Sequence, residues 1–230
     1  MGFRLPVQIA IDGPVASGKS TVARRLAERL GFAFLDTGAL YRSVAHLALA
    51  RHVAPDDETR VDELVAHSLP EVVLEEDDPL TYRIRIDGVM LGSELFTPAV
   101  SKAVSAIAAM PKVRRQLIGA QRSFAAGRNV VMAGRDIGTV VLPDAPFKFF
   151  LTASIDARVE RRLRELHAQN IEIDRATLRT EIVARDKRDT TRSVSPLAKA
   201  PSAIEIDTSS MSADDVVDEL ERTVRVTPQR

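Results

Sequence analysis

Cysteine and tryptophan are both missing from this 230-residue chain. Without cysteine there is no disulfide framework, no thiol nucleophile and no cysteine-ligated zinc. Histidine is scarce. His46, His52, His67 and His167 fall at no metal-ligand spacing, and each reads as a helix-surface residue. Net charge is also absent, because 32 Lys and Arg face 32 Asp and Glu. A balanced chain lacks the basic surplus needed to grip DNA or RNA non-specifically. With only two tyrosines it also lacks the stacking residues of a single-strand binder. No run approaches the roughly 20 apolar residues of a spanning helix. No long apolar run follows Arg4, so no signal peptide is visible. The expectation is a cytoplasmic chain with neither a membrane nor a nucleic-acid partner. No sticky seam is evident either, which favours a monomer.

Apolar residues, at 45%, are plentiful enough for a packed core. The length suits one sizeable domain with an insertion, or two small ones. Short runs read as strands of one sheet: Val7 to Ile11, Phe32 to Leu35, Asn129 to Ala133 and Phe147 to Leu151 are apolar, and Ala203 to Ile206 is a fifth short strand. Helical periods lie between them. Val22, Leu26 and Leu30 precede Gly31 as a C-cap; Leu40, Val44 and Leu47 mark the next helix. Asp56 and Asp57 cap a third, and Thr97-Pro98 opens a fourth that runs to about Ala109. Pro111 to Gly127 frames a fifth. Ser154 or Asp156 caps a basic helix, Asp174 starts another, and Ser212 with Asp215 opens the last. Strands alternating with helices predict an α/β fold with a parallel sheet covered on both faces. Glu71 to Glu76, Thr81 to Ile86 and Val89 to Leu91, joined by Asp87-Gly88, predict a small antiparallel sheet at about 70–97. The tail after Arg225 is polar and expected to fray.

The chemistry starts at Gly13-Pro14-Val15-Ala16-Ser17-Gly18-Lys19-Ser20, which meets the phosphate-loop pattern G-x-x-x-x-G-K-[ST]. A strand precedes it and a helix follows. Its N–H groups and the helix start make an anion site. Lys19 can reach the β- and γ-phosphates and Ser20 can offer a hydroxyl to Mg²⁺. Residues 13–20, with Thr21, are expected to hold ATP. The loop alone does not separate kinases from switch GTPases or motors. No Asn-Lys-x-Asp run is present to read guanine.

Three arginine-bearing clusters favour a kinase. Asp36-Thr37-Gly38-Ala39-Leu40-Tyr41-Arg42 and Gly134-Arg135-Asp136-Ile137-Gly138-Thr139 each follow a strand, where open α/β sheets bind ligands. In Arg185-Asp186-Lys187-Arg188-Asp189-Thr190-Thr191-Arg192, positions 185, 188, 189 and 192 share a helix face. Arg158, Arg161 and Arg162 share a face of the preceding helix. These two helices read as a lid that closes over phosphates and excludes water. Arginines at separate sites imply two phosphate-bearing ligands.

At these motifs the chain resembles the bacterial cytidylate kinases, over residues 8 to about 208, including Ser105 and the stretch Pro111-Lys112-Val113-Arg114. The resemblance implies a P-loop core (1–36, 128–155 and 195–230) built on a five-stranded parallel sheet flanked by helices. It further implies a nucleoside-monophosphate-binding insert (37–127) and a short helical lid (156–194). It implies transfer from ATP to CMP or dCMP with Mg²⁺ on Ser20. Carried over, Lys19, Arg135, Arg185, Arg188, Asp189 and Arg192 are catalytic. Ser105, Arg114 and Asp136 meet the cytosine ring. Thr37, Tyr41, Arg42, Arg135 and Arg192 surround the CMP phosphate, and Arg185 and Asp189 hold the sugar. Arg188, with Arg161 or Arg162, reaches the triphosphate. Ser20 stands where some members have another small residue. The runner-up is a kinase for UMP, AMP or a non-nucleotide acid. Lid and insert are expected to stand open without ligands.

Overall fold

The protein is described by a computed structural model covering residues 6–75 and 78–226. Glu76, expected to end a strand, and the tail from 227 lie outside the described residues. Chain order begins β1 (Gln8–Asp12), α1 (Lys19–Leu30), β2 (Ala33–Asp36), α2 (Gly38–Ala50) and α3 (Glu58–His67). The insert sheet follows as β3 (Glu71–Glu75), β4 (Asp78–Ile86) and β5 (Val89–Leu91). Then come α4 (Pro98–Ile107), α5 (Pro111–Ala125), β6 (Val130–Gly134), β7 (Phe147–Thr152), α6 (Ile155–His167), α7 (Arg175–Thr191), β8 (Ile204–Asp207) and α8 (Ala213–Val226).

Five of these strands form one parallel sheet in the order β2-β6-β1-β7-β8. Its central strands are apolar on both sides because helices cover both faces. Val22 and Leu26 of α1 and Val217, Leu220 and Val224 of α8 pack with Ile9, Ile11 and Phe149. On the other face Phe124 and Ala125 of α5 close over Ala10, Leu35, Val130 and Met132. Each fully buried Ile, Leu or Val there contributes about 1.5–3 kcal/mol. A parallel sheet brings all its strand C-termini to one edge, so Gly13, Thr37 and Arg135 emerge there together. No helix among the described residues is long and apolar enough to cross a membrane.

The insert sheet pairs β4 antiparallel with both β3 and β5. Asp87 and Gly88 both take positive φ (49° and 79°), as a two-residue hairpin turn demands. Alternation holds: Ile84 and Ile86 are buried while Arg83 and Arg85 reach across to Glu75 and Glu71 on the open face. Tyr82, on the inner face, stacks at 58° against Phe34 of β2, 5.9 Å away, and joins the insert to the core.

The capping choices resolve cleanly. Asp57, not Asp56, caps α3 by accepting from Arg60 N, and Ser154, not Asp156, caps α6. Ser212 and Asp215 exchange hydrogen bonds of 3.0 and 3.1 Å at the start of α8. Two elements were not legible in the pattern: a 3₁₀ turn at Ser93–Phe96 and a π-turn at Ile137–Val141. Both are a single turn long, too short for periodicity to mark.

Candidate active site

The phosphate loop owes its shape to backbone that other residues cannot adopt. Gly13 has φ +157°, and a Cβ there would sit 2.2 Å from the Leu151 carbonyl oxygen. Gly18 turns into α1 at φ +87°. Lys19 is buried at the start of α1, and its ammonium donates to Pro14 O at 2.9 Å. Burial holds its pKa well below the ordinary lysine value, helped by the Arg135 charge. An incoming anion would offset both effects by favouring the charged ammonium. Ser20 Oγ donates to Asp36 Oδ2 at 2.6 Å. Arg158 does not line the cleft. It is buried, pairs with Asp186 and donates to Val15 O and Ala153 O, so it braces the loop.

Across the cleft, four segments converge. Thr37 Oγ1 donates to Ala133 O at 3.0 Å, locking the turn after β2 to β6 instead of capping α2. Arg42 donates to Ser101 Oγ (2.9 Å) and Leu95 O (3.2 Å), and its guanidinium lies 5.4 Å from the Phe96 ring centroid. Arg114 of α5 is 1% exposed. It pairs with Asp136, donates to Ala108 O, and lies over the Tyr41 ring at 5.1 Å. Arg192 stands 3.9 Å from Asp136, and Arg135 Nε donates to Asp189 Oδ2 at 2.9 Å. Arg185 Nε and an Arg192 terminal nitrogen are buried without a hydrogen-bond acceptor. Burial, and then the neighbouring Arg135 charge, push the Arg185 pKa down to about 10.

One cleft gathers Val15, Ala16, Gly18, Lys19, Ser20 and Thr21 from the loop side. It also gathers Thr37, Tyr41, Arg42, Ser105, Arg114, Arg135, Asp136, Arg162, Arg185, Asp189 and Arg192. Seven Lys and Arg line it against four Asp and Glu. Such crowding of cations is costly to hold without anions. Arg161 lies apart. It donates to Ser17 O and Thr208 Oγ1 and lines a neighbouring cleft with Ser17, Thr208 and Met211. Gly13 and Pro14 shape the loop without lining either cleft. Arg188 is exposed and lines neither.

Two contacts tie α7 to the cleft walls. Val15 N donates to Asp186 Oδ1 at 3.2 Å, and the Arg135–Asp189 pair ties α7 to the turn after β6. Two carboxylates went unassigned in the sequence. Asp36 serves Ser20 and also accepts from Gly38 N at 2.9 Å. Asp12 accepts from Ile137 N and Gly138 N, each at 2.8 Å. The signal for Asp12 was its place at the end of a buried strand, which also suits a plain strand terminator.

A family model described as cytidylate kinase matches residues 9–226. The chain is 48% identical over 209 residues to the cytidylate kinase of Pelotomaculum thermopropionicum, spanning 91% of this chain and 92% of that one. It is 43% identical over 223 residues to the cytidylate kinase of Caldanaerobacter subterraneus subsp. tengcongensis, spanning 97% and 96%. Among solved structures, an uncharacterized protein from Eubacterium ventriosum superposes with a TM-score of 0.52 at 14% identity, over 96% of this chain and 99% of that one. That likeness concerns the fold alone.

Proposed function

The chain belongs to the cytidylate kinase family, and from that premise we propose that it transfers the γ-phosphoryl group of ATP to CMP and dCMP, releasing ADP with CDP or dCDP. The observation that carries this reading is a cation-rich cleft with a phosphate loop on one wall and the Arg114–Asp136 pair on the other. The loop amides and Lys19 hold the triphosphate, with Arg162 as the α6 side chain nearest in role. Arg42, Arg135 and Arg192 receive the CMP phosphate beside Thr37 and Tyr41, and Arg185 and Asp189 take the sugar. Asp136 accepts from the exocyclic amine of cytosine, where uracil presents an acceptor that a carboxylate repels. Ser105 and Arg114 complete the ring contacts.

The reaction is an in-line displacement. A CMP phosphate oxygen forms a bond to the γ-phosphorus while the bond to the β,γ-bridging oxygen breaks, and ADP leaves with that electron pair. The attacking oxygen is largely ionised at neutral pH, so no general base is required. Lys19, Arg135, Arg185 and Arg192 would offset the charge that spreads over the transferring group. Magnesium, which kinases of this type use, fits the donors present. The Ser20 proton is committed to Asp36, which leaves the hydroxyl lone pairs free for a hard cation. Bound there it would neutralise β- and γ-oxygens. Docking of α6 and α7 over the cleft excludes water that would otherwise compete as acceptor.

A coupled ADP-release assay with CMP, dCMP, UMP and AMP tests the proposal. CMP or dCMP should have the highest kcat/KM. Equal or faster turnover with AMP or UMP would refute the cytidylate assignment and favour another small acceptor.

A further inference from the structure

The buried carboxylate of Asp12 has no part in the chemistry above, yet it lies at the junction of both substrate walls. It ends β1, one residue before the phosphate loop, and is paired in register with Gly134 at the end of β6. Both its oxygens are spent on backbone. Oδ1 accepts from Ile137 N and Oδ2 from Gly138 N, each at 2.8 Å. Those amides directly follow Arg135 and Asp136, and open the π-turn at Ile137–Val141. The turn tolerates no slack. A Cβ on Gly134 would lie 2.6 Å from the Ile137 side chain and 2.8 Å from Thr37 Oγ1. Resting on the function proposed above, we propose that Asp12 is a positioning residue: in its ionised form it clamps the 137–138 amides and so aims Arg135 at the acceptor phosphate and Asp136 at the base.

The surroundings of Asp12 support a role in function over one in stability. Burial, the largest influence, pushes its pKa from the ordinary 3.8 up to about 6, against the two amide bonds that favour the ion. Charged groups face it from each element packed against it. Asp136 after β6 disfavours the ion and Lys19 of α1 favours it. On β7, the stem of Lys148 lies along Gly138 while its ammonium bonds Pro143 O. The folded chain therefore keeps this proton up to about pH 6, while the unfolded chain releases it near 3.8. The sign follows: stability from this group falls as pH rises through that window. A carboxylate kept where ionising it destabilises the fold is best explained by what its ionised form does.

When Asp12 takes a proton it loses one acceptor, and the clamp on the turn is halved. The test compares wild type with Asp12→Asn, which keeps the size but places an amide donor against one backbone N–H. The expected result at pH 7.5 is a KM for CMP raised on the order of tenfold, a reduced preference for CMP over UMP, and an ATP Kd within about threefold of wild type. Below pH 6.5 the wild-type KM for CMP should climb with an inflection that Asp12→Asn lacks. The CMP phosphate also titrates near pH 6, so the readout is the difference between the two proteins. An unchanged KM and an identical acid limb would overturn the proposal. So would ATP and CMP affinities falling together, the mark of a merely structural residue. Should the variant not fold, cytidine binding to wild type supplies the second measurement, because cytidine has no phosphate to titrate. Its affinity should drop severalfold from pH 7.5 to 5.5, and a flat profile would overturn the proposal. Loss of the parent reading looks different: the wild-type acceptor panel would then show no CMP preference at all.

Discussion

The two walls of the cleft are built by opposite means. On the proposed function, the triphosphate wall is one contiguous stretch, residues 13–21, that works mainly through its backbone, and its glycines permit that backbone. The acceptor wall is assembled from α2, α4, α5, the turn after β6 and α7, and its working parts are side chains. A backbone cradle recognises what all nucleoside triphosphates share. A wall of side chains can recognise one base, but only if distant segments are held in register. The buried Asp136–Arg114 pair, the Arg135–Asp189 pair and the Asp12 clamp supply that register. Donor chemistry is thus local in the chain, and acceptor identity is a property of the fold.

Substitutions can break this division, and the largest effect belongs to the donor wall. Lys19→Ala should lower kcat on the order of a thousandfold, because it removes a preorganised cation from the transferring group. The KM for CMP should move by no more than a few fold. Single-turnover kinetics would check it, and a loss mainly in CMP affinity would dissolve the distinction. Next comes the acceptor wall. Arg192→Ala should cut kcat/KM for CMP about a hundredfold, the worth of a charge-assisted hydrogen bond to phosphate, while calorimetry finds ATP binding nearly intact. Equal loss for both substrates would mean that the walls are not separate. The smallest effect is Arg188→Ala. Its side chain is exposed and outside the cleft lining, so both substrates should keep their constants within about twofold in steady-state assays. A larger loss would put Arg188 on the triphosphate after lid rearrangement.

The same contrast governs what the sequence made legible. The five strands of the parallel sheet, the hairpin at Asp87-Gly88 and the caps at Thr97, Asp174 and Ser212 all follow from local pattern, although β8 is mostly exposed. So did the phosphate loop. The motif residues Thr37, Arg42, Asp136 and Arg192 were named as well, but their partners were not. Nothing local says that Thr37 bonds the Ala133 carbonyl, or that Arg158 pairs with Asp186. Arg188 shares its spacing with Arg185, but spacing alone does not say how deep each side chain reaches: Arg185 lines the cleft while Arg188 is exposed and lies outside its lining. Asp12 went unread for a related reason: a carboxylate at a strand end is common, and only the folded turn at 137–138 reveals its partners.

The central claim is that the acceptor wall reads the base through Asp136, independently of the donor wall. Asp136→Asn tests it most directly, since asparagine keeps the shape and adds an amide donor that uracil O4 can accept. The quantity to measure is the ratio of kcat/KM for CMP to that for UMP, in wild type and variant, with the ATP Kd measured alongside. The account predicts that the ratio collapses on the order of tenfold to a hundredfold while the ATP Kd stays within about threefold. An unchanged ratio would contradict it and remove Asp136 from the base site.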